Sequence, residues 1–298
     1  CRLYLRNSCM KLNNRYAYFF ILPAFLYLSV WLFFPILNNF YLSLLDAETA
    51  RSRDYFFVGL DNYKELFQDK IFWRALSHNI IWVILSILIP LVLGLVLAAM
   101  LYNMRSRLFY ASIFFIPHTF ALIITAIVWR WMYHPKYGLI NQTLDNLGLG
   151  YFKMHWLGDE NVALIAVNMM GSWSYYGFCV LIFLAGLQNI DPTLNDAAKI
   201  DGAGPIQRFF KITIPLLRNT FMFLIIWTII GSMRFFDLIF VATNGTPNLA
   251  TDITGLYIYR LIMQQGRVTY AGSISVILTI IILTMSIFVI RNLMRENE

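Results

Sequence analysis

"NDAAKIDGAGPIQRFFKITIPLL", residues 195–217, carries charges, glycines and prolines between two of the most apolar segments of the chain. If those flanking segments cross a membrane, this insert lies on one face of it, and the remaining sequence decides which. The 298 residues are 59% hydrophobic and only 13% charged. A soluble globular domain carries about 25% charged residues, so the deficit points to a chain solvated largely by lipid.

About 20 apolar residues cross a bilayer as a helix. Six segments qualify: 16–42, 80–101, 108–133, 162–187, 221–243 and 270–290. The expected fold class is therefore an all-α membrane protein of six transmembrane helices, with 1–298 as a single domain. The first segment is too long for a signal-peptide core and is read as a retained helix. Pro23, Pro35, Pro90 and Pro117 fall inside these segments; neighbouring helices can satisfy the backbone groups they free. The chain begins at Cys1, and the basic run after it favours a trimmed start.

Charge fixes the orientation. An even number of crossings puts both termini on the same side as loops 102–107 and 188–220. That side carries twelve basic and five acidic residues, net +7, against nine basic and ten acidic on the other, net −1. Cytoplasmic loops are the positive ones, so both termini and the insert are placed in the cytoplasm. Topology thereby accounts for the basic character, and no nucleic-acid partner is needed. Outside, "GLDNYKELFQDKIFWRAL" reads as one amphipathic helix lying at the interface, with Tyr63, Leu66, Phe67, Phe72 and Trp73 facing lipid or protein.

Catalytic and cofactor motifs are absent. No G-x-x-x-x-G-K-[ST] loop is present, so ATP is not expected on this chain. "GAGPIQ" at Gly202 fails the dinucleotide pattern at Gln207 and follows no strand. Cys1, Cys9 and Cys179 make neither a disulfide framework nor a zinc site, and His78, His118, His134 and His155 have no metal-ligand spacing. The chain is read as a non-enzyme without cofactor or metal.

The insert reads as two short helices. Asp191 is placed as N-cap with Pro192 at the first helical position. Gly202 and Gly204 end that helix, and Pro205 starts the next. The run resembles the cytoplasmic signature of permease subunits of binding-protein-dependent ABC importers: E-A-A, three residues, Gly, nine residues, I-x-L-P. Here it stands as Asp196-Ala197-Ala198, Gly202 and Ile212-Thr213-Ile214-Pro215. Asp196 replaces Glu and Ile214 replaces Leu, keeping charge and shape. "AAKIDGAG" and "KITIPLL" are similar to the carbohydrate-uptake branch of that family. The likeness extends through "GLDNYKELF", "IVWRWMYHPKYGLIN" and "FFDLIFVATNGTP", where Asn244-Gly245-Thr246-Pro247 stands for the Gly-Gly-Gly-Pro run of many relatives.

The resemblance implies a type I importer permease fold and a division of labour. Segment 188–218 would be the coupling-helix hairpin, seated on ATPase subunits through Asp196, Ala197, Ala198, Asp201, Gly202, Ala203, Phe209, Ile212 and Pro215. Two such ATPases would bind ATP and Mg. A second homologous permease would complete the pathway, and an extracytoplasmic solute-binding protein would deliver a sugar or oligosaccharide. The alternative, an ATPase-independent channel or secondary transporter, leaves the insert unexplained.

Polar residues inside the membrane are functional candidates. "VNMMGSWSYYG" places Asn168, Trp173, Tyr175 and Tyr176 near mid-membrane, where amide and hydroxyl groups suit sugar hydroxyls and rings suit sugar C–H faces. Similar permeases bind sugar with their fourth to sixth crossings, which favours Asn168, Trp173, Tyr176, Gly231 and Phe235 as the pathway. Arg234 and Asp237, three apart, share a helical face, either as an ion pair or as pathway lining; a basic residue there would suit an acidic sugar. Arg130 is expected to snorkel toward the outer interface.

Overall fold

The computed structural model describes residues 14–47, 54–232 and 235–295. Its first helices, α1 (Asn14–Leu28) and α2 (Phe34–Leu42), are joined without a break through a π turn at Ser29–Phe33. Pro35 lacks the N–H that the preceding turn would use, and the ladder widens just before it. An antiparallel hairpin follows, β1 (Leu45–Ala47) and β2 (Tyr55–Phe57), with Asp46 opposite Phe56. Among the described residues it is the one departure from the all-helical expectation.

The expected single interfacial helix is instead two, α3 (Asp61–Gln68) and α4 (Lys70–Tyr102). The break is made by Asp69. Its backbone is extended, and its carboxylate accepts from the amides of Ile71 at 2.8 Å and Phe72 at 3.3 Å, capping α4. Its other oxygen accepts from the hydroxyls of Tyr257 at 2.5 Å and Tyr270 at 2.8 Å. Burial pushes the Asp69 carboxyl up, but those hydroxyls and amides outweigh it and hold it below its ordinary value. Leu66 and Phe72 are buried against Tyr257, Leu261, Tyr270 and Ile274; of the residues expected on that face, Phe67 and Trp73 stay exposed.

Next come α5 (Arg107–Phe115), a 3-10 turn at Ile116–Thr119 and α6 (Leu122–Met132), with α5 and α6 bent by 92°. Pro117 lies in that turn, and Phe120 and Ala121 are extended, so segment 108–133 is no continuous helix. The connection after it contains α7 (Leu139–Asn146) and leads to α8 (Ala163–Gln188). The insert forms α9 (Pro192–Ile200) and α10 (Pro205–Arg208), then a π turn at Phe209–Thr213 and α11 (Ile214–Leu216). A 62° bend separates the run Pro205–Leu216 from α12 (Arg218–Ser232).

Segment 221–243 is likewise divided: α12 ends at Ser232 and α13 (Asp237–Ala242) begins anew. Asp237 opens α13, where the helix dipole favours an acid, so it is not on the helix that ends at Ser232. Arg234 lies outside the described residues. The chain closes with α14 (Thr254–Met263) and α15 (Val268–Arg295). Among the described residues, four helical runs are long and apolar enough to cross a membrane: Phe20–Leu42, Lys70–Tyr102, Ala163–Gln188 and Val268–Ile287. Counting each bent pair as one span raises the number to six.

α4 and α8 form the central pair. In lipid, helices associate through close packing rather than through burial from water, and small residues permit the approach. A Cβ added to Gly94 of α4 would stand 2.5 Å from the Cys179 Cβ of α8, so the contact requires glycine. Around it lies a cluster of Leu91, Ala98, Phe183, Leu184, Leu217 and Leu224. Above it lies a second, of Trp82, Met170, Leu238, Ile239 and Leu256.

Candidate functional site

Between these two clusters a cavity of about 230 Å³ opens half-way along the long helices. α4 contributes Trp82, Ser86 and Pro90; the bend before α6 contributes His118, Phe120 and Leu122. α8 contributes Gly171, Ser172, Ser174 and Tyr175; α12 contributes Trp227, Thr228, Gly231 and Ser232; Phe235 closes the wall. Three of these contributions follow helical periodicity. Residues 82, 86 and 90 share one face of α4; 171 and 175 do so on α8, and 227 and 231 on α12.

Buried polar bonds set the walls. Asn168 is fully buried behind the cavity. Its Nδ2 donates to Ser86 Oγ at 2.9 Å and to the Trp82 carbonyl at 3.3 Å, and its Oδ1 accepts from Ser172 Oγ at 3.2 Å. It thus orients two residues that do line the cavity. Ser174 Oγ donates to the Pro117 carbonyl at 3.2 Å, while His118 Nδ1 donates to the Ser174 carbonyl at 3.1 Å. Thr228 Oγ1 lies 3.0 Å from the Tyr175 hydroxyl and 2.7 Å from the Leu224 carbonyl. Phe235 packs on Trp82 with ring centroids 5.5 Å apart, and His118 stacks on Phe178 at 5.3 Å.

Of the pathway residues expected from sequence, Gly231 and Phe235 line the cavity. No atom lies within 4 Å of a Cβ added to Gly231, so the wall is open there. Trp173 stands one layer out, stacked on Phe120 at 6.5 Å and edge-on to Trp129 at 5.9 Å. Tyr176 turns toward Phe114 at 6.1 Å, and its neighbour Tyr175 takes the cavity side. Asp237 is exposed and not among the lining residues. Trp82, Ser86 and His118 were not singled out. The signal for the first two is their i, i+4 spacing in "WVILS", a polar stripe on an otherwise uncharged apolar run. Arg130 does more than reach for the interface: its Nη1 donates to the Val241 carbonyl at 3.2 Å, at the end of α13.

The hairpin after α8 is the second candidate region. Asp191 caps α9, accepting from the Thr193 amide at 2.9 Å, and its carboxyl is held below its ordinary value by the Thr193 amide and hydroxyl. Gly202 takes φ +78°, a conformation glycine adopts without steric cost, and the Ala203 amide donates to the Ala198 carbonyl at 2.9 Å. Ala198 is buried, and Phe209 packs against the cluster of Leu91, Phe183 and Leu217. Asp196 pairs with Lys199 at 2.7 Å on the exposed side, where Ala197 and Asp201 are also exposed. Ile212 is half-buried, and Pro215 lies exposed in α11. The hairpin's most exposed large apolar side chains are Ile200 at 87%, Ile206 at 74% and Phe210 at 61%, with Leu194 and Leu216 less so.

Apolar helices around a mid-depth cavity, with a capped hairpin on one face, define a membrane transport subunit. The chain belongs to the family described as the binding-protein-dependent transport system inner membrane component, which residues 90–295 match. It is 32% identical over 278 residues to the probable ABC transporter permease protein YurN of Bacillus subtilis (strain 168), covering 92% of this chain and 94% of that protein. The lactose transport system permease protein LacF of Rhizobium radiobacter is 32% identical over 288 residues, covering 94% and 95%. In fold, the chain is similar to a bacterial ABC transporter involved in the import of the acidic polysaccharide alginate. That match has a TM-score of 0.80 at 23% identity and covers 96% of this chain and 97% of that one.

Proposed function

We propose that this chain is the translocation subunit of an ATP-driven importer for a sugar or oligosaccharide, crossing the inner membrane six times with both termini in the cytoplasm. The carrying observation is the family match over residues 90–295, a stretch that holds the hairpin and most of the cavity wall. Relatives named for lactose, trehalose/maltose and arabinooligosaccharide transport support the sugar class. The cavity is the substrate's route, and a second, homologous permease supplies its other half. Each bent pair counts as one crossing.

Segment 188–218 is the coupling hairpin. Ile200, Ile206 and Phe210 are apolar groups in a segment that faces water, and a partner surface would bury them. That partner is one of two ATPase subunits, which bind ATP and Mg; their closure moves the hairpin as a rigid body and shifts the cavity between inward and outward access. An extracytoplasmic binding protein loads the cavity from outside.

Co-purification and uptake test this together. The chain should retain an ATPase subunit in detergent, and Gly202→Asp, which puts a side chain at φ +78°, should abolish ATP-coupled uptake. An intact rate in that variant, or a purified chain that never holds an ATPase, would sink the reading.

A further inference from the structure

Among the described residues, no lysine, arginine, aspartate or glutamate lines the cavity. Its hydrogen-bonding character is also lopsided. Carbonyl oxygens only accept, so a hydroxyl bonded to one has spent its single proton. Ser174 gives its proton to the Pro117 carbonyl, Ser232 to that of Ile229 and Thr228 to that of Leu224. Thr228 divides its proton between that carbonyl and the hydroxyl of Tyr175, which leaves Tyr175 its own proton. Ser172 donates to the amide oxygen of Asn168, whose nitrogen is fixed on Ser86 and the Trp82 carbonyl.

His118 completes the pattern. Its Nδ1 faces the Ser174 carbonyl and must carry the ring proton, which makes Nε2 of the neutral ring an acceptor. Nε2 has no partner among the described residues. The donors that remain are the hydroxyls of Ser86 and Tyr175 and the indole N–H groups of Trp82 and Trp227, and that of Trp82 is buried without a partner. The walls therefore present lone pairs, aromatic faces and uncharged donors.

Taking the chain as a sugar permease, we infer that the cavity selects an uncharged, hydroxyl-rich saccharide and rejects uronates and phosphate esters, with His118 Nε2 receiving one sugar hydroxyl. A sugar hydroxyl both gives and accepts a proton, so it suits lone pairs and uncharged donors alike, and the sugar's C–H face packs on the rings of Trp82 and Phe235. A carboxylate or phosphate brings acceptors only, and its charge would be stripped of water with no cation among the described lining residues to offset it. The expectation of an acidic sugar rested on Arg234, which lies outside the described residues. The likeness to an alginate importer is one of fold and does not bear on the charge preference of this cavity.

The test is calorimetric titration of the purified permease–ATPase complex. Maltose, lactose and trehalose are compared with glucuronate and trigalacturonate. At least one neutral sugar should bind, and both uronates should bind at least about tenfold more weakly. His118→Phe should weaken the neutral sugar about fivefold or more, whereas His118→Gln, whose Oε1 still accepts, should stay within about twofold. Co-purification with the ATPase checks that each variant folds. Uronates that bind as tightly as the neutral sugar, or no change in His118→Phe, overturn the inference. If neither kind binds a complex that still hydrolyses ATP, it is the sugar reading itself that fails.

Discussion

Asn168 of α8 donates its side-chain amide to the hydroxyl of Ser86 on α4, 2.9 Å away, across the centre of the helix pair. One buried residue thereby holds two cavity walls in register without itself facing the cavity. Interhelical bonds of this kind contribute about 1 kcal/mol in membrane proteins. Asn168→Leu removes the partner of both Ser86 and Ser172 and should lower the thermal midpoint of the detergent-solubilised complex by about that free energy or somewhat more. An unchanged midpoint would contradict the role of these bonds in holding the two helices.

Gly94 and Gly231 should respond in opposite ways to a small addition. Gly94→Val drives carbon into Cys179 and should cost about 1–3 kcal/mol, read as lost yield of folded complex. Gly231→Ala meets empty space and should stay within about 1 kcal/mol of the parent. Comparable damage from both would contradict the packing.

On the hairpin, Ile206→Asp and Phe210→Asp alter groups that are exposed in the single chain. Folding and membrane insertion should be retained, while affinity for the ATPase subunit should drop about tenfold or more. Wild-type affinity in both variants would place the docking surface elsewhere.

Asp252 gives a pH signature. It is 1% exposed, paired with Arg260 and left with a second oxygen that has no partner. Burial pushes its carboxyl up to about 6, against the opposing pull of Arg260 and Arg74. Because the folded state holds the proton more tightly than the unfolded one, the stability from this group is full below about pH 4 and is lost as pH rises through about 6. Midpoints recorded from pH 4 to 8 should show that decline, and Asp252→Asn should flatten it. Parallel curves for variant and parent would refute the assignment.

Sequence reading succeeded where the signals are local. Asp191, Pro192, Gly202 and Pro205 each act within a turn of their own position, so the two helices of the hairpin could be read off. The break at Asp69 could not, because it is stabilised by hydroxyls from Tyr257 and Tyr270 nearly two hundred positions away. Nor could the preference for Tyr175 over Tyr176. α8 is apolar on nearly every side, as helices between lipid and a helical core are, so periodicity gave no face to choose. Segment 221–243 reads as a single helix because no proline marks the non-helical Phe235 and Phe236, and Arg234 and Asp237 fit an i, i+3 pair on one face.

Two bonds run in opposite directions between the 116–119 turn and α8: Ser174 to the Pro117 carbonyl, and His118 to the Ser174 carbonyl. Mechanically this is a joint with two pins, which cannot swivel without shearing one of them. The tip of the bent α5–α6 pair and the waist of α8 therefore travel as one piece. Whatever reshapes the cavity during a transport cycle has to carry His118 and Tyr175 together and change their distance to α12, so probes spaced between α8 and α12 will register the cycle, and probes across the joint will stay silent.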